Sequence, residues 1–403
     1  MDLPKVTDLN VGGKRVLVRA DLDVPLRMMA ASSLSGRTED SWEVADDRRL
    51  RLVAPTVQYL IDNGARVVVG GHLGRPHLDG MGFGSRGKPG LAEVRVGGAG
   101  AVGGVGRGSE AEEGVRLSLR PVGRRLADLV ERLVVYNFTE QLGRKDVAMA
   151  VDCLPPGGLL VLENLRFEVG ETAEAGSRKW VDLAEALAGA ADLFVNEAFA
   201  ESHREAASIT GAVKIIEKRE GGGGAFGMRF CDEVRVLSEV LERPRRPLVA
   251  VLGGAKIETK LPAISAMERW ADAVLVGGRL PSEIAARGLK FSKKVRVGSL
   301  GAGGKDVDRE TVGMFKDVLM KAGMVIWNGP MGMFEVEGGE EGTREVAKAI
   351  AGSHARKIAG GGDTEAALVK FGLTKKFDWI SIGGGAMLEF LAKGTLPGIE
   401  AIE

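Results

Sequence analysis

The sequence predicts an α/β protein with two doubly wound parallel-sheet domains, and three observations support this fold class. The chain has 403 residues, 44% of them hydrophobic, which exceeds the size at which a single hydrophobic core keeps growing. Short runs that are apolar on both faces recur, and stretches with the period of a helix separate most of them. Charged residues and glycines cluster directly after these runs, where such sheets bind ligands.

Eight short runs are predicted to be strands, because they are rich in β-branched and aliphatic residues and lie between turn signals. They are RVLV (15–18), RVVV (66–69), LLVL (159–162), LFV (193–195), LVAVL (248–252), AVLV (273–276), VIW (325–327) and WISI (379–382). Helical periodicity predicts helices at residues 55–65, 180–192 and 344–357. Alternation of strands and helices favours parallel sheets.

Two glycine-rich segments interrupt this alternation. Residues 80–114 lack periodicity and are predicted to form a long surface insertion; the alternative is a phosphate loop, but such loops are short and join a strand to a helix. Residues 218–227 (KREGGGGAFG) separate the two series of strands and precede a predicted helix at 232–242. We therefore expect a first domain at 1–217, a hinge and linking helix at 218–242, and a second domain at 243–389.

Composition argues against several classes of protein. Lys plus Arg equals Asp plus Glu at 55 each, so no overall charge favours nucleic acid as a partner. The two cysteines lack metal-ligand spacing and fit a reducing compartment. The first residues do not resemble a signal peptide, and no uncharged apolar run approaches the length of a membrane span. We expect a cytoplasmic protein with neither nucleic-acid nor membrane partners.

Basic residues follow the strands of the first half. Because the carboxyl ends of parallel strands share one edge, these side chains are expected in one crevice, where guanidinium groups would grip carboxylates or phosphates. The residues are Arg19, Asp21 and Asp23 after the first run, His72 and Arg75 after the second, Arg166, His203, Arg204, and Arg49 at a helix start. Taken singly, each arginine has the alternative of a surface ion pair. Together they predict a small, multiply anionic substrate.

In the second half of the chain, glycines rather than basic residues follow the predicted strands. Strands run into residues 253–254, 329, 360–362 and 383–385, and backbone N–H groups at a helix N-terminus suit a polyphosphate. Tight packing of the loops is the alternative. Asp363 would hold Mg²⁺ beside a phosphate, or else cap a helix. Glu335 would accept hydrogen bonds from a ribose, or else lie on the surface.

Lys256 and Lys260 lie four residues apart after Gly253 and Gly254. On one helix face their charges repel by a few tenths of a kcal/mol, and an anion between them would reverse this effect. A solvated pair is the alternative. Neither a Walker sequence nor an ordered G-x-G-x-x-G after the first strand occurs, which disfavours a P-loop protein and a dinucleotide-dependent dehydrogenase.

At these residues the chain resembles the phosphoglycerate kinase family. Eight segments carry the resemblance in order: KRVLVRADLDVPL, GHLGRP, LENLRF, VNEAFAESHREAAS, LGGAKIETK, VIWNGPMGMFE, GGGDTEAAL and ISIGGGAMLEFLAKGTLPGIEAI. They cover nearly the whole chain apart from insertions at about 27–43 and 80–114.

The resemblance implies a 3-phosphoglycerate site on the first domain, MgADP or MgATP on the second, and a monomer whose tail at 390–403 returns to the first domain. It implies that the phosphoglycerate is held by Asp21, Asp23, Arg49, His72, Arg75, Arg166 and Arg204. It implies that the nucleotide is held by Gly253, Lys256, Lys260, Asn328, Pro330, Glu335, Gly360, Gly361, Gly362, Asp363, Thr364, Gly383, Gly384 and Gly385, with Asp363 on the metal. Arg49, Lys256 and Lys260 would be catalytic.

The implied reaction is reversible, Mg-dependent phosphoryl transfer between 1,3-bisphosphoglycerate and ADP. The acceptor is a carboxylate, already ionised because carboxyl pKa values lie near ~4, so no general base is needed. Positioning and charge neutralisation would carry the catalysis, with closure of the two domains excluding water.

Some positions depart from the family pattern. Asp23 stands where Asn is usual, and the stretch between residues 280 and 325 is short, with Arg279 and Leu280 where glycine and methionine are common. The resemblance implies that this stretch helps to form the adenine pocket, so the preference for ATP or GTP stays open. These departures also favour an alternative, a binding or regulatory protein with little catalysis. The retention of four residues together argues against this alternative: Arg49, Lys256, Lys260 and Asp363.

Overall fold

The computed structural model describes residues 1–29, 42–76, 117–131, 134–137 and 144–402. The strands are β1 (Arg15–Ala20), β2 (Leu26–Met28), β3 (Trp42–Val44), β4 (Arg66–Gly70), β5 (Val134–Asn137), β6 (Leu159–Leu162), β7 (Leu193–Glu197), β8 (Gly223–Phe226), β9 (Leu248–Leu252), β10 (Ala273–Val276), β11 (Val295–Val297), β12 (Met324–Asn328), β13 (Arg356–Gly360) and β14 (Trp379–Ser381).

The α-helices are α1 (Arg48–Asp62), α2 (Arg120–Leu129), α3 (Arg144–Asp152), α4 (Arg178–Gly189), α5 (Ala212–Ile216), α6 (Met228–Glu242), α7 (Ile257–Trp270), α8 (Leu280–Ala286), α9 (Arg309–Leu319), α10 (Glu341–Gly352), α11 (Gly362–Lys370), α12 (Gly384–Lys393) and α13 (Pro397–Glu400). Among the residues described, no helix is both long and apolar enough to cross a membrane.

The first sheet has six parallel strands in the order β5-β6-β4-β1-β7-β8. Its central strands are fully buried because aliphatic side chains cover both faces, as the apolar runs predict. Arg19 on β1 is in register with Gly70 on β4 and Asn196 on β7. This register brings the segments that follow the three strands to one edge of the sheet.

The second sheet also has six parallel strands, in the order β11-β10-β9-β12-β13-β14. Its chain starts at β9 in the middle and extends first to one side and then to the other, which is the doubly wound arrangement. Asn328 on β12 is in register with Leu252 on β9 and Gly360 on β13, so the glycine-containing segments also meet at one edge. The two parallel sheets confirm the predicted fold class.

Backbone contacts divide the chain into two compact units. One contains most residues up to 231 together with the last residues from 401, and the other contains residues 199–203 and 232–400. Of the tail predicted at 390–403, only the residues from 401 fall in the unit of the first sheet, where a Cβ added to Gly224 would lie 3.1 Å from Ile402. The domain limits at 217 and 243 stay predictions.

Six of the strands described (β2, β3, β5, β8, β11 and β13) were not predicted, and two segments differ from expectation. The predicted hinge at 218–227 contains β8, whose sequence GGAF lacks the β-branched residues that mark a strand. The helix predicted at 344–357 ends at Gly352, and β13 begins at Arg356. The predicted insertion at 80–114 lies outside the described residues, and the other insertion is described only at its ends, where β2 and β3 form a hairpin.

A fully buried carboxylate marks the start of α6. Glu197, the last residue of β7, accepts hydrogen bonds from Thr56 Oγ1 (2.5 Å) and from the backbone N–H groups of Arg229 (3.1 Å) and Phe230 (2.9 Å). Burial raises the pKa of Glu197 to about 7, although these hydrogen bonds and the Arg229 charge act in the opposite direction.

We predict that Glu197→Gln reduces the pH dependence of stability between about pH 4.5 and 7. A carboxyl group whose pKa is raised on folding binds its proton more tightly in the native state. Its contribution to stability is therefore complete below its ordinary pKa of 4.5 and is lost as the pH rises to about 7. Thermal unfolding across this pH range measures the effect. Glu310→Gln, at an exposed glutamate, is the control, and equal slopes in wild type and Glu197→Gln would contradict the prediction.

Candidate active site

In the unit of the first sheet, the buried Arg19 serves as an internal support. Its Nε donates to Ser208 Oγ (2.8 Å), its Nη1 donates to the carbonyl of Ala20 (2.6 Å), and its Nη2 lies 3.3 Å from His72 Nδ1. Glu171 Oε1 is 3.7 Å from the same guanidinium group. Arg19 follows the strand-end pattern found in the sequence, but its guanidinium group is used by the protein itself.

His72 lies at the centre of a group of arginines. Only 2% of the residue is exposed, and burial lowers its pKa far below the ordinary value of 6.5, with the positive charges of four nearby arginines adding to the effect. In order of effect they are Arg19, Arg166, Arg204 and Arg49. The imidazole is therefore neutral. Because Arg19 can only donate, Nδ1 accepts and the proton is assigned to Nε2, which lies 3.9 Å from Asp23 Oδ2.

Two aspartates form hydrogen bonds at the border of this arginine group. Both carboxylate oxygens of the buried Asp21 accept from Arg49 Nη1 at 3.1 Å. Asp23 Oδ1 accepts from the backbone N–H of Gly74 (2.9 Å), whose carbonyl accepts from Arg166 Nη1 (2.5 Å). The exposed Arg75 follows directly after Gly74. Several cations are thus fixed around a small region, which suits a multiply charged anion.

The supporting residues Glu171, Ser208 and Asn164 were not found from the sequence. Ser208 Oγ donates to Glu171 Oε1 (2.6 Å), and Asn164 Oδ1 accepts from the backbone N–H of Arg166 (3.1 Å). These residues lie far from β1 and β4 along the chain, and no local pattern marks them as partners.

In the unit of the second sheet, most of the conspicuous glycines permit close packing of loops. A Cβ on Gly278 would come within 2.7 Å of the backbone of Gly254, and a Cβ on Gly384 within 2.5 Å of Gly361 Cα. Backbone atoms of residues 329–330 likewise exclude a Cβ on Gly253. The tight-packing alternative therefore applies to many of them. Gly362, by contrast, faces open space.

Lys256 and Lys260 do not share a helix face, so that prediction was wrong. Helix α7 begins at Ile257, and Lys256 precedes it in an extended conformation (φ −108°, ψ 108°). The positive φ of Gly254 (+105°) turns the chain, and helical geometry starts only three residues later. Lys256 is exposed, whereas the Lys260 Nζ donates to Asn328 Oδ1. Burial lowers the pKa of Lys260 to about 8, and the negative charge of Asp363 partly offsets this effect.

The amide of Asn328 connects three loops at the edge of the second sheet. Its Nδ2 donates to the carbonyls of Gly360 (2.8 Å) and Gly384 (3.2 Å). Thr364 is buried, and its hydroxyl oxygen accepts from the backbone N–H of Gly329 (2.7 Å). Lys260, Asn328 and the first turn of α11 thus lie side by side.

The remaining predicted residues lie around this edge. Asp363 is exposed in the first turn of α11, and Glu335 is exposed on the loop after β12. Lys370 Nζ holds this loop by donating to the carbonyl of Phe334 (2.6 Å). Pro330 is partly buried, and a Cβ on Gly383 would contact the backbone of Ala200 at 2.9 Å.

A metal site made by protein side chains alone is not found in the described part of the chain, since no three or more His, Cys, Asp or Glu residues group suitably there. Asp363 offers one exposed carboxylate beside a cation-lined edge. Mg²⁺ commonly takes one or two carboxylates together with phosphate oxygens and water, so Asp363 fits a metal that arrives with a phosphate ligand.

Comparisons with known proteins agree with the resemblance. A family model described as phosphoglycerate kinase matches residues 6–300 and 281–394. The phosphoglycerate kinase of Solibacter usitatus is 33% identical, with 100% of each chain covered, and that of Desulfosudis oleivorans is 32% identical over 98% of this chain and 97% of the relative.

Solved structures agree as well. The phosphoglycerate kinase structure from Coxiella burnetii has a TM-score of 0.68 and 28% identity, and the one from Pyrococcus horikoshii has a TM-score of 0.72 and 26% identity. Each covers 99% of this chain and 98% of its own.

We predict that Gly384→Ala and Gly362→Ala differ in their effect on folding. The added methyl group at 384 would press on Gly361 Cα, which is backbone and cannot move aside, so the free energy of unfolding should fall by about 1–3 kcal/mol. At 362 nothing lies within 4 Å, and the change should stay within about 0.5 kcal/mol. Chemical denaturation measures both variants. Equal stability would show that the loops do not approach as closely as described.

Proposed function

The chain belongs to the phosphoglycerate kinase family, and we propose that the two clusters of residues divide its reaction between them. The family membership makes the protein a glycolytic phosphotransferase that acts on phosphoglycerate and a nucleotide. The observation that supports the division is charge. Four arginines lie near the neutral His72 in one unit, whereas Lys260, Asp363 and the start of α11 meet in the other.

The arginine cluster is proposed to bind 3-phosphoglycerate or 1,3-bisphosphoglycerate. Arg75, Arg166 and Arg204 supply charge for the phosphate and carboxylate groups of the ligand, because guanidinium forks match both groups. His72 contributes a neutral Nε2–H donor, and Asp23 contributes an acceptor for the substrate hydroxyl. Arg49, oriented by the buried Asp21, is the cation assigned to the phosphoryl group in transit.

The second cluster is proposed to bind ADP or ATP. Lys256 and Lys260 neutralise phosphate oxygens, and the free N–H groups in the first turns of α11 and α12 add partial positive charge. Asn328 and Thr364 act mainly by holding the loops, and Glu335 is assigned to the ribose. Asp363 would hold Mg²⁺, which when bound supplies further charge for the phosphates.

The chemistry requires no general base. A carboxylate acceptor is already ionised at neutral pH, so the protein has only to orient the reactants and to neutralise charge on the transferred group. Lys256, Lys260 and Arg49 are the three side chains assigned to this neutralisation, and they are the proposed catalytic residues.

Because the substrates are assigned to different units, the reaction needs a movement that unites them and excludes water. We assign this hinge bending to residues 218–242, and the division of contacts between residues 231 and 232, within α6, supports the assignment. A monomer in the cytoplasm is the proposed state, in line with the use of cysteine.

A coupled assay tests the proposal. Wild-type protein should form ADP from ATP only when 3-phosphoglycerate and Mg²⁺ are both present. Lys256→Ala and Arg49→Ala should each lower kcat by about 100-fold or more. Each variant removes a cation that is proposed to neutralise the charge of the transferred phosphoryl group in the transition state. Arg245→Ala removes an equal charge from the amino edge of the second sheet and should leave kcat unchanged.

Thermal unfolding of each variant separates lost function from lost folding. A well-folded Lys256→Ala protein with wild-type turnover would contradict the assigned nucleotide site. An inactive wild type would favour the alternative of a binding protein.

The pKa of Lys260 predicts how nucleotide affinity depends on pH. A lysine with its pKa lowered to about 8 is charged below that pH and loses its charge above it. Affinity for ADP should therefore fall above about pH 8, although a bound phosphate moves the midpoint upward. Lys260→Arg keeps its charge throughout and should remove most of this dependence. Calorimetric titrations between about pH 7 and 9.5 measure it, and a pH-independent wild type would contradict the assignment.

A further inference from the structure

The polyphosphate anchors, which are the residues proposed to hold the phosphates of the nucleotide, lie along one part of the carboxyl edge of the second sheet. Lys256 and Lys260 follow β9, Asn328 ends β12 and Asp363 follows β13, and these strands are consecutive neighbours in the sheet. Neighbouring strands lie about 4.8 Å apart, so the anchors span about 10 Å. A nucleotide whose phosphates occupy this span must place its nucleoside beyond one end of it.

At the end beyond β13, the segments that follow β13 and β14 pack closely. A Cβ on Gly384 would meet Gly361 Cα at 2.5 Å, and a Cβ on Gly383 would meet Ala200 Cα and Phe199 at 2.9 Å. The loops there are already in contact with one another. Loops also touch at the other end, where a Cβ on Gly278 would come within 2.7 Å of Gly254. We place the nucleoside at that end, over β10, because Glu335, the residue assigned to the ribose, lies on the loop after β12, and this loop contacts the turn after β10.

Two loops border the space over β10. The turn after β10 contains Gly277, Gly278 and Arg279, and the backbone N–H of Arg279 donates to the carbonyl of Gly254 (3.0 Å). The loop after β12 leans toward the same strand, since the Gly278 N–H donates to the carbonyl of Met331 (3.1 Å). Glu335, which is proposed to bind the ribose, and Arg279 therefore lie on the same side of the polyphosphate anchors.

Arg279 is an exposed side chain at this border. It precedes helix α8, and no hydrogen bond or ion pair joins its guanidinium group to any residue in the ranges that the structure describes. A guanidinium group has only donors, arranged in a planar fork. At the edge of the purine it can form hydrogen bonds only to acceptor atoms.

We propose that Arg279 is a specificity-determining residue that contacts the purine edge of the nucleotide and favours a 6-oxopurine over adenine. Guanine and hypoxanthine present two acceptors, O6 and N7, which match the fork, whereas adenine presents N7 beside an amino group that can only donate to it. This inference rests on the proposed nucleotide site and specifies the base that the site selects.

Steady-state kinetics with ATP, GTP and ITP test the inference. In Arg279→Gly the ratio of kcat/KM for GTP to that for ATP should fall about fivefold or more relative to wild type, and ITP should behave as GTP does. Arg279→Lys, a point charge without the fork, should give an intermediate ratio. Arg245→Gly, an exposed arginine at the opposite edge of the sheet, should leave the ratio unchanged.

Two results would overturn the inference. One is an unchanged ratio in Arg279→Gly. The other is an equal rise of KM for all three nucleotides, because a contact with phosphate does not depend on the base.

Lys256→Ala in the same series distinguishes a failure of the proposed nucleotide site from a failure of the role assigned to Arg279. If it loses turnover with every nucleotide while the Arg279→Gly ratio is unchanged, the nucleotide site stands and only the role of Arg279 fails. If it keeps full turnover, the site itself is wrong, and the inference falls with it.

Discussion

Close approach of backbone loops at the edge of the second sheet determines the arrangement of the proposed nucleotide site. Gly253, Gly278 and Gly384 each lie where a Cβ would strike the backbone of a neighbouring loop. Because the loops touch, one amide side chain, Asn328, can hold the ends of β12, β13 and the start of α12 together. Preorganisation of this kind lets a few cations act on a polyphosphate without rearrangement of the site.

In the unit of the first sheet, several positive charges lie close together, and their mutual repulsion must be reduced even when no ligand is bound. Arg19 is offset by Glu171, and Arg49 by Asp21, so part of the charge is balanced by buried carboxylates. His72 stays neutral, which avoids a further cation at the centre of the cluster. Charge left unbalanced is then available to an anionic substrate. In the proposed division of the reaction, the first unit binds its anionic ligand with arginines, and the second combines two lysines with the N-terminal dipoles of α11 and α12.

Some elements escaped prediction for physical reasons that particular residues illustrate. Strand β8 has the sequence GGAF, and its strand geometry depends on pairing with β7, a partner about thirty residues away, rather than on its own composition. Lys256 lies at the correct spacing for a helical pair, but the positive φ of Gly254 delays the helix until Ile257. Periodicity detects an element where its pattern is strong and misjudges it where the backbone of a neighbouring loop decides the geometry.

The fold class, the membership of a family and the residues that gather at the strand ends can all be recognised in the amino-acid sequence alone. These depend on local patterns, such as apolar runs, helical periods and glycines after strands, which any reader of the chain can recognise. The contacts that each of these residues makes became known from the folded chain. Arg19 turned out to be an internal support, Thr364 to hold a loop and His72 to be neutral. Such roles follow from burial and from partners distant along the chain, and neither is encoded in local spacing.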